Sequence, residues 1–182
     1  MKKLLTTVLA GMLSMTSAQA LASDEVAVQQ AEEVRMRSLI YSADYDSMMA
    51  LVQKQEYAKA FPDILRFARY GEKYAQYLVG LLMVTGQDNV PVKVEEGLVW
   101  MRLSLEQETT DWERRYEDIT KNLTKAQLDS LNPMYEEYKA KYGAEAQNMR
   151  CGHERMRGSN MRHHVCRKNL LMNEYYTVVE YK

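Results

Sequence analysis

Two cysteines bracket the part of the chain richest in reactive side chains. It reads Met149-Arg-Cys151-Gly-His-Glu-Arg-Met-Arg-Gly-Ser-Asn-Met-Arg-His-His-Val-Cys166-Arg-Lys168. Three chemistries compete for it. Cys151, His153, His163, His164 and Cys166 have the ligand types of a zinc or copper site, but their spacing matches no standard finger. Thiol exchange would want Cys-x-x-Cys, which is absent, and so is the Cys-x-x-Cys-His of covalent haem. An isolated pair in an exported protein is expected to close as a disulfide, Cys151–Cys166. Closing a loop of that length contributes about 3 kcal/mol on the chain-entropy estimate.

The same segment is basic. Arg150, Arg155, Arg157, Arg162, Arg167 and Lys168 crowd into it, with Glu154 as the acid between the cysteines. Its three histidines gain charge below about pH 6.5. One reading is a solvated, disulfide-tied loop lying over the more acidic remainder of the protein. The other is a patch facing an anion, such as phosphate head groups, a cell-wall polymer or an acidic partner. Gly158-Ser159-Asn160 is expected to turn the chain at its tip.

Elsewhere catalytic constellations are missing. There is no Gly-x-Ser-x-Gly, His-Glu-x-x-His or phosphate-binding loop. Glu95-Glu96 and Glu136-Glu137 are adjacent pairs, so each points in two directions around a helix. One Glu with a distant Asp can cleave a glycan, which keeps a cell-wall hydrolase or its accessory as an alternative, yet nothing selects such a pair. No enzyme and no cofactor are expected.

The beginning of the chain reads as an address. Lys2 and Lys3 precede the mostly apolar Leu4–Leu13, and Ala18-Gln19-Ala20 supplies a small-x-small cleavage signature. The apolar run is too short to span a bilayer comfortably. Export to the periplasm or beyond is the expectation, with residues 1–20 removed. The net charge of −1 becomes more negative when both lysines go, so nucleic acid is not an expected partner. After residue 20 no segment is long and apolar enough to cross a membrane.

What must position these residues reads as helical. Ser23 or Asp24 would cap a lead-in helix to about Ser38, on a thin stripe of Ala27, Ala31 and Val34. Helices are expected at Asp44–Gln53 and from Tyr57 to Gly71. Two more are expected at Lys73–Val84 and Lys93–Gln107. Pro62 should kink the second of these or mark its first turn. Gly80 lies inside the third, where glycine costs about 1 kcal/mol relative to Ala, so a close-packed neighbour is expected there. Trp100 should be a buried wedge. Thr110/Glu113 and Thr124/Gln127 have capping-box spacing, and Pro133 predicts a break near Asn132. Tyr175–Val179 has strand-like composition but no evident partner, so the state of residues 169–182 stays open.

Aligning Ala60…Ala68…Gly71 with Glu96…Ser104…Gln107 gives an offset of 36 residues, within the range of helical repeats. Arg66-Phe-Ala-Arg-Tyr-Gly71, Ala75-Gln-Tyr77, Gly80, Gly86, Val90, Glu96 and Trp100 resemble the Sel-one-like repeat, a short relative of the tetratricopeptide repeat. The likeness covers about residues 44–107. Gly97 stands where that family has Ala, and residues 103–107 lack its Ala-Ala-x-x-Gly ending. The frame Cys…Gly-Ser…Arg-x-x-Val-Cys-Arg also resembles a tail of exported proteobacterial proteins without assigned chemistry.

The resemblance implies an all-α fold of short antiparallel repeats with extra C-terminal helices and a disulfide-tied loop. The expected layout is a signal peptide (1–20), an all-helical domain (21–142) and a basic Cys-bracketed loop with a tail (143–182). The function it implies is a periplasmic adaptor holding a protein or peptide partner. Tyr45, Tyr57, Tyr70, Tyr74 and Tyr77 are the candidate groove. The alternative is an envelope protein binding an anionic component or a metal through the Cys/His segment. If the address is read correctly, N-terminal sequencing of protein recovered from the periplasm starts at Leu21; a mature chain that retains Met1 would overturn it.

Overall fold

The computed structural model describes residues 30–155, 158 and 160–181. The proposed cleavage site and the capping residues Ser23 and Asp24 lie outside them.

Among the described residues seven α-helices form the body: α1 (Ser38–Gln53), α2 (Tyr57–Arg69), α3 (Lys73–Thr85), α4 (Val94–Ser104), α5 (Thr110–Thr120), α6 (Lys125–Ser130) and α7 (Asn132–Tyr142). Ile64, Phe67 and Ala68 of α2, Ala75, Val79 and Leu82 of α3, and Trp100 and Leu103 of α4 make the main core, together with Tyr41 and Met48 of α1. Turn chemistry sets several boundaries as read from the sequence. Gly86 ends α3 at φ +66°. Thr124 and Gln127 form the full capping box of α6, and Pro133 sits in the first turn of α7. The helix α2 runs through Pro62. The Thr110 box does not form: Thr109 occupies the cap position of α5 without a side-chain hydrogen bond.

The tightest contact joins α3 to α4. A Cβ on Gly80 would come within 2.5 Å of the Gly97 carbonyl oxygen, and one on Gly97 within 2.8 Å of the Gly80 carbonyl. Two glycines let the two backbones touch. That is why glycine stands at position 97, and why the helix tolerates the entropic cost of Gly80.

The all-α expectation fails at both ends of the described chain. Two antiparallel two-stranded sheets flank the helices: β1 (Ala31–Arg37) with β4 (Tyr175–Tyr181), and β2 (Met149–Arg155) with β3 (Arg162–Lys168). The protein is therefore a mixed α/β fold. The lead-in helix predicted up to Ser38 is a strand from Ala31. Its Val34 and Met36 pack on the core and alternate with exposed Glu33, Arg35 and Arg37, a period of two. Its partner lies at the other end of the sequence, with Arg37 opposite Tyr175 and Ala31 opposite Tyr181. A thin alanine stripe cannot compete with a ladder to a β-branched and aromatic strand.

The segment expected to be a basic loop is a hairpin, with Cys151 directly opposite Cys166 and the two joined by the disulfide. Gly158, at φ +76°, lies in its turn. Ser159, Met156 and Arg157 lie outside the described residues. Among the described residues no helix is long and apolar enough to cross a membrane.

The glycine contact makes a sharp test. Gly80→Ala gains helix propensity worth about 1 kcal/mol but must push the packed backbones away from each other, and overpacking of this kind costs about 1–3 kcal/mol. Urea unfolding should show net destabilisation of roughly 1–2 kcal/mol; a stabilised variant would show that the helices can separate freely.

Candidate functional site

Helix α1 presents Tyr41 and Tyr45 one turn apart, on one face. Glu72 stands at the N-cap of α3, and Cys166, Arg167 and Lys168 end strand β3. With Asp46 and with Tyr176 of β4, these residues line a cleft of about 250 Å³ where the helical body meets both sheets. The Tyr41 hydroxyl donates to Glu72 Oε1 at 2.6 Å. Lys168 Nζ donates to the Gln147 carbonyl at 3.0 Å and reaches its side-chain oxygen at 3.4 Å.

Burial pushes the Glu72 carboxyl up, against the pull of the Tyr41 hydrogen bond and of Lys168 and Lys73. Burial likewise pushes the Lys168 ammonium down to about 8, with Glu72 opposing and Lys73 reinforcing. Tyr41 is raised by burial and then by Glu72.

Beneath the cleft runs a buried polar network. Lys73, 2% exposed, donates to Glu106 Oε2 at 2.7 Å and to Gln76 Oε1 at 3.0 Å. Glu106 Oε2 also accepts the Ala144 N–H at 2.8 Å. Gln76 donates to the carbonyls of Ala68 and Tyr142. Gln147 donates to the carbonyls of Lys141 and Val179 and accepts the Val179 N–H.

The five tyrosines of the expected groove differ in burial and in partners. Tyr70 is buried and donates to Glu180 at 2.7 Å. Tyr45 packs edge-on against Phe67, and Tyr57 is half-buried against the main core. Tyr77 stacks on Trp112 of α5 with ring centroids 4.9 Å apart, and the more exposed Tyr74 lies beside the same indole at 6.1 Å. Tyr74, Tyr77 and Trp112 therefore make a small aromatic platform, while Tyr45 contributes to the cleft.

The basic residues also separate. Strand alternation sets Arg150 opposite Arg167 on one face of the hairpin, and Arg155 opposite Arg162 on the other. Arg167 pairs with Glu154 at 3.1 Å. Lys168 is turned inward to the cleft, and Arg157 lies outside the described residues. His153 and His164 are cross-strand neighbours with ring centroids 5.3 Å apart, and His164 Nε2 lies 3.8 Å from Glu108. His163 is exposed on the opposite face. The disulfide occupies both thiols. Among the described residues no three His, Cys, Asp or Glu side chains are grouped to hold a metal ion.

A further feature went unread in the sequence. At the Arg37 end of the first sheet, Leu39 is 79% and Met172 93% exposed, with Ile40, Leu170 and Leu171 also exposed. The Ser38 N–H donates to the Glu174 carbonyl at 2.8 Å, and Leu171 bridges to Tyr175. Both apolar segments thus share one end of the ribbon. The signal was Leu39-Ile40 and Leu170-Leu171-Met172, two apolar runs beside strands whose pairing could not be foreseen.

No family model, curated protein or solved structure matches this chain. The resemblance to the Sel-one-like and tetratricopeptide-like repeats is accordingly withdrawn. The Gly-studded residues that suggested it serve the α3–α4 contact and the polar network, inside a fold with two sheets that a purely helical repeat lacks.

The buried ammonium groups predict the alkaline behaviour of the protein. Unfolded lysine titrates near pH 10.4, so from about pH 8 to 10 the unfolded chain holds more protons than the folded one at Lys168; burial lowers Lys73 in the same direction. Stability therefore rises with pH across that window. Above about pH 10 the sign reverses, because unfolded tyrosines ionise while burial keeps Tyr41 and Tyr70 protonated. Denaturation midpoints should climb from pH 8 to 10, and Lys168→Met should flatten the climb. A wild-type profile that falls across this range would contradict the assignment.

Proposed function

We propose that this chain is a non-enzymatic interaction module of the cell envelope, and that its contact surface is the apolar end of the β1–β4 ribbon. One observation carries the reading. Large apolar side chains of two segments distant in sequence are placed at one end of the ribbon and left exposed. Extended apolar patches of this kind mark interaction sites in soluble proteins. Arg37 and Tyr175 face each other at this end, with the exposed Glu174 beside them, so the partner surface is read as mainly apolar. The Tyr74–Tyr77–Trp112 platform offers a second, smaller contact. The signal-peptide reading supplies the location.

A second reading, contact with an anionic envelope component, draws on the hairpin. Like charges directly opposite each other destabilise a strand pair. Arg150 faces Arg167 and Arg155 faces Arg162, with Glu154 the acid that pairs with one of the four. An anion seated there would relieve the repulsion.

One crosslinking experiment on the full chain in cells separates these surfaces. Leu39→Ser/Met172→Ser should abolish recovery of a reproducible partner with stability changed by less than about 0.5 kcal/mol, as for other exposed positions. Tyr74→Ser should weaken recovery modestly. Loss of the partner with Arg155→Gln/Arg162→Gln alone would favour the anionic reading. Unchanged recovery in the Leu39/Met172 variant would remove the apolar end as the contact surface.

A further inference from the structure

The cleft beside the disulfide holds two opposite charges that do not neutralise each other. Glu72 gives one carboxylate oxygen to Tyr41, and among the described residues no protein group donates to the other. Lys168 is held by Gln147, yet an ammonium has three donors. The two charges influence each other without forming an ion pair. Both are largely removed from water, and such groups are costly to leave uncompensated.

The shape and charge of the cleft narrow what it could take. At about 250 Å³ it falls below the roughly 300–1,000 Å³ typical of sites for drug-sized molecules. A simple anion would meet the carboxylates of Glu72 and Asp46. A simple cation would meet Lys168 and Arg167. A neutral sugar could lie on the tyrosine rings but would leave Glu72 and Lys168 as they are. A molecule bearing both charges within a few bonds satisfies both sides, and Tyr45 and Tyr176 then offer ring surface to an apolar side chain.

We propose that this cleft binds a small zwitterion of the α-amino-acid type, with its ammonium group on Glu72 and its carboxylate on Lys168. The site is separate from the apolar end of the ribbon and does not depend on the partner reading.

Isothermal titration of the full mature chain tests it with alanine, leucine and phenylalanine in both chiral forms. The N-acetyl and C-amide derivatives of each, which lack one charge, serve as controls. At least one free amino acid should bind, and both of its derivatives should bind roughly tenfold or more weakly. Glu72→Gln should remove the preference for the free amino acid over its N-acetyl derivative. Lys168→Met should remove the preference over the amide. Because Lys168→Met also cuts a contact to Gln147, the wild-type comparison of parent and derivatives decides the matter alone if that variant fails to fold. The proposal is overturned if no free amino acid binds, if the derivatives bind as well as the parents, or if a neutral sugar binds and the amino acids do not.

Discussion

The structure depends on how it satisfies one buried stretch of irregular backbone. The connection from α7 to β2, residues 143–148, passes beneath both sheets, and Gly143, Ala144 and Gln147 are buried. Buried backbone N–H and C=O groups need partners, and a chain in neither helix nor ladder cannot supply them all to itself. Here side chains do it. Glu106 takes the Ala144 N–H, Gln76 serves the Tyr142 carbonyl just before the connection, and Gln147 reaches out to both polar backbone groups of Val179 on β4. Lys168 Nζ covers the Gln147 carbonyl from β3. One segment thereby fastens the helices to both ribbons.

That arrangement explains why the core holds charge at all. An apolar replacement of Gln147 would orphan backbone groups on β4 and at the end of α7, each worth about 1–3 kcal/mol in lost solvation. The Lys73–Glu106 pair is retained on the same logic. Buried pairs often add little net stability, but removing one partner strands the other at about 3–5 kcal/mol. Glu106 is also tied to a backbone N–H, so Lys73 both neutralises it and orients Gln76. The disulfide continues the system outward, since the Cys166 N–H donates to Gln107 beside Glu106. The hairpin is thus clamped at its base while its basic end projects.

How much of this could be read from the sequence depended on the range of the interaction. Gly86, the Thr124–Gln127 box and Pro133 act within a turn or two, and each marks the boundary it was read to mark. Gly80 was readable because a mid-helix glycine needs a reason, and the Gly97 carbonyl provides it. Cys151 and Cys166 were readable as a pair because the chain offers no other thiol. The strands were not readable. Ala31–Arg37 becomes extended only because Tyr175–Tyr181 lies beside it, and no local pattern links the two. The same blindness covered the candidate surfaces. Leu39 and Met172 come to one end of the ribbon through that sheet, and Lys168 reads as one more outward basic residue until the hairpin register turns it inward. The repeat pattern misled for a related reason: close helix packing leaves the same small residues in a repeat and in a single helical pair.

Two ammonium groups and two carboxylates lie within electrostatic reach of one another, yet only one pair closes. Lys73 meets Glu106 directly. Glu72 is held by Tyr41 of α1 and Lys168 by Gln147, so each is anchored to a different region of the scaffold. The Gln147 contact belongs to the network that seats β3. The fold therefore keeps the two charges apart for reasons of its own construction. Burial pushes Glu72 upward and Lys168 downward, and the attraction between the two opposes both shifts and favours the charged forms. Two opposite charges that line one cleft without forming an ion pair leave it open to a ligand bearing both, whereas the Lys73–Glu106 pair is already closed.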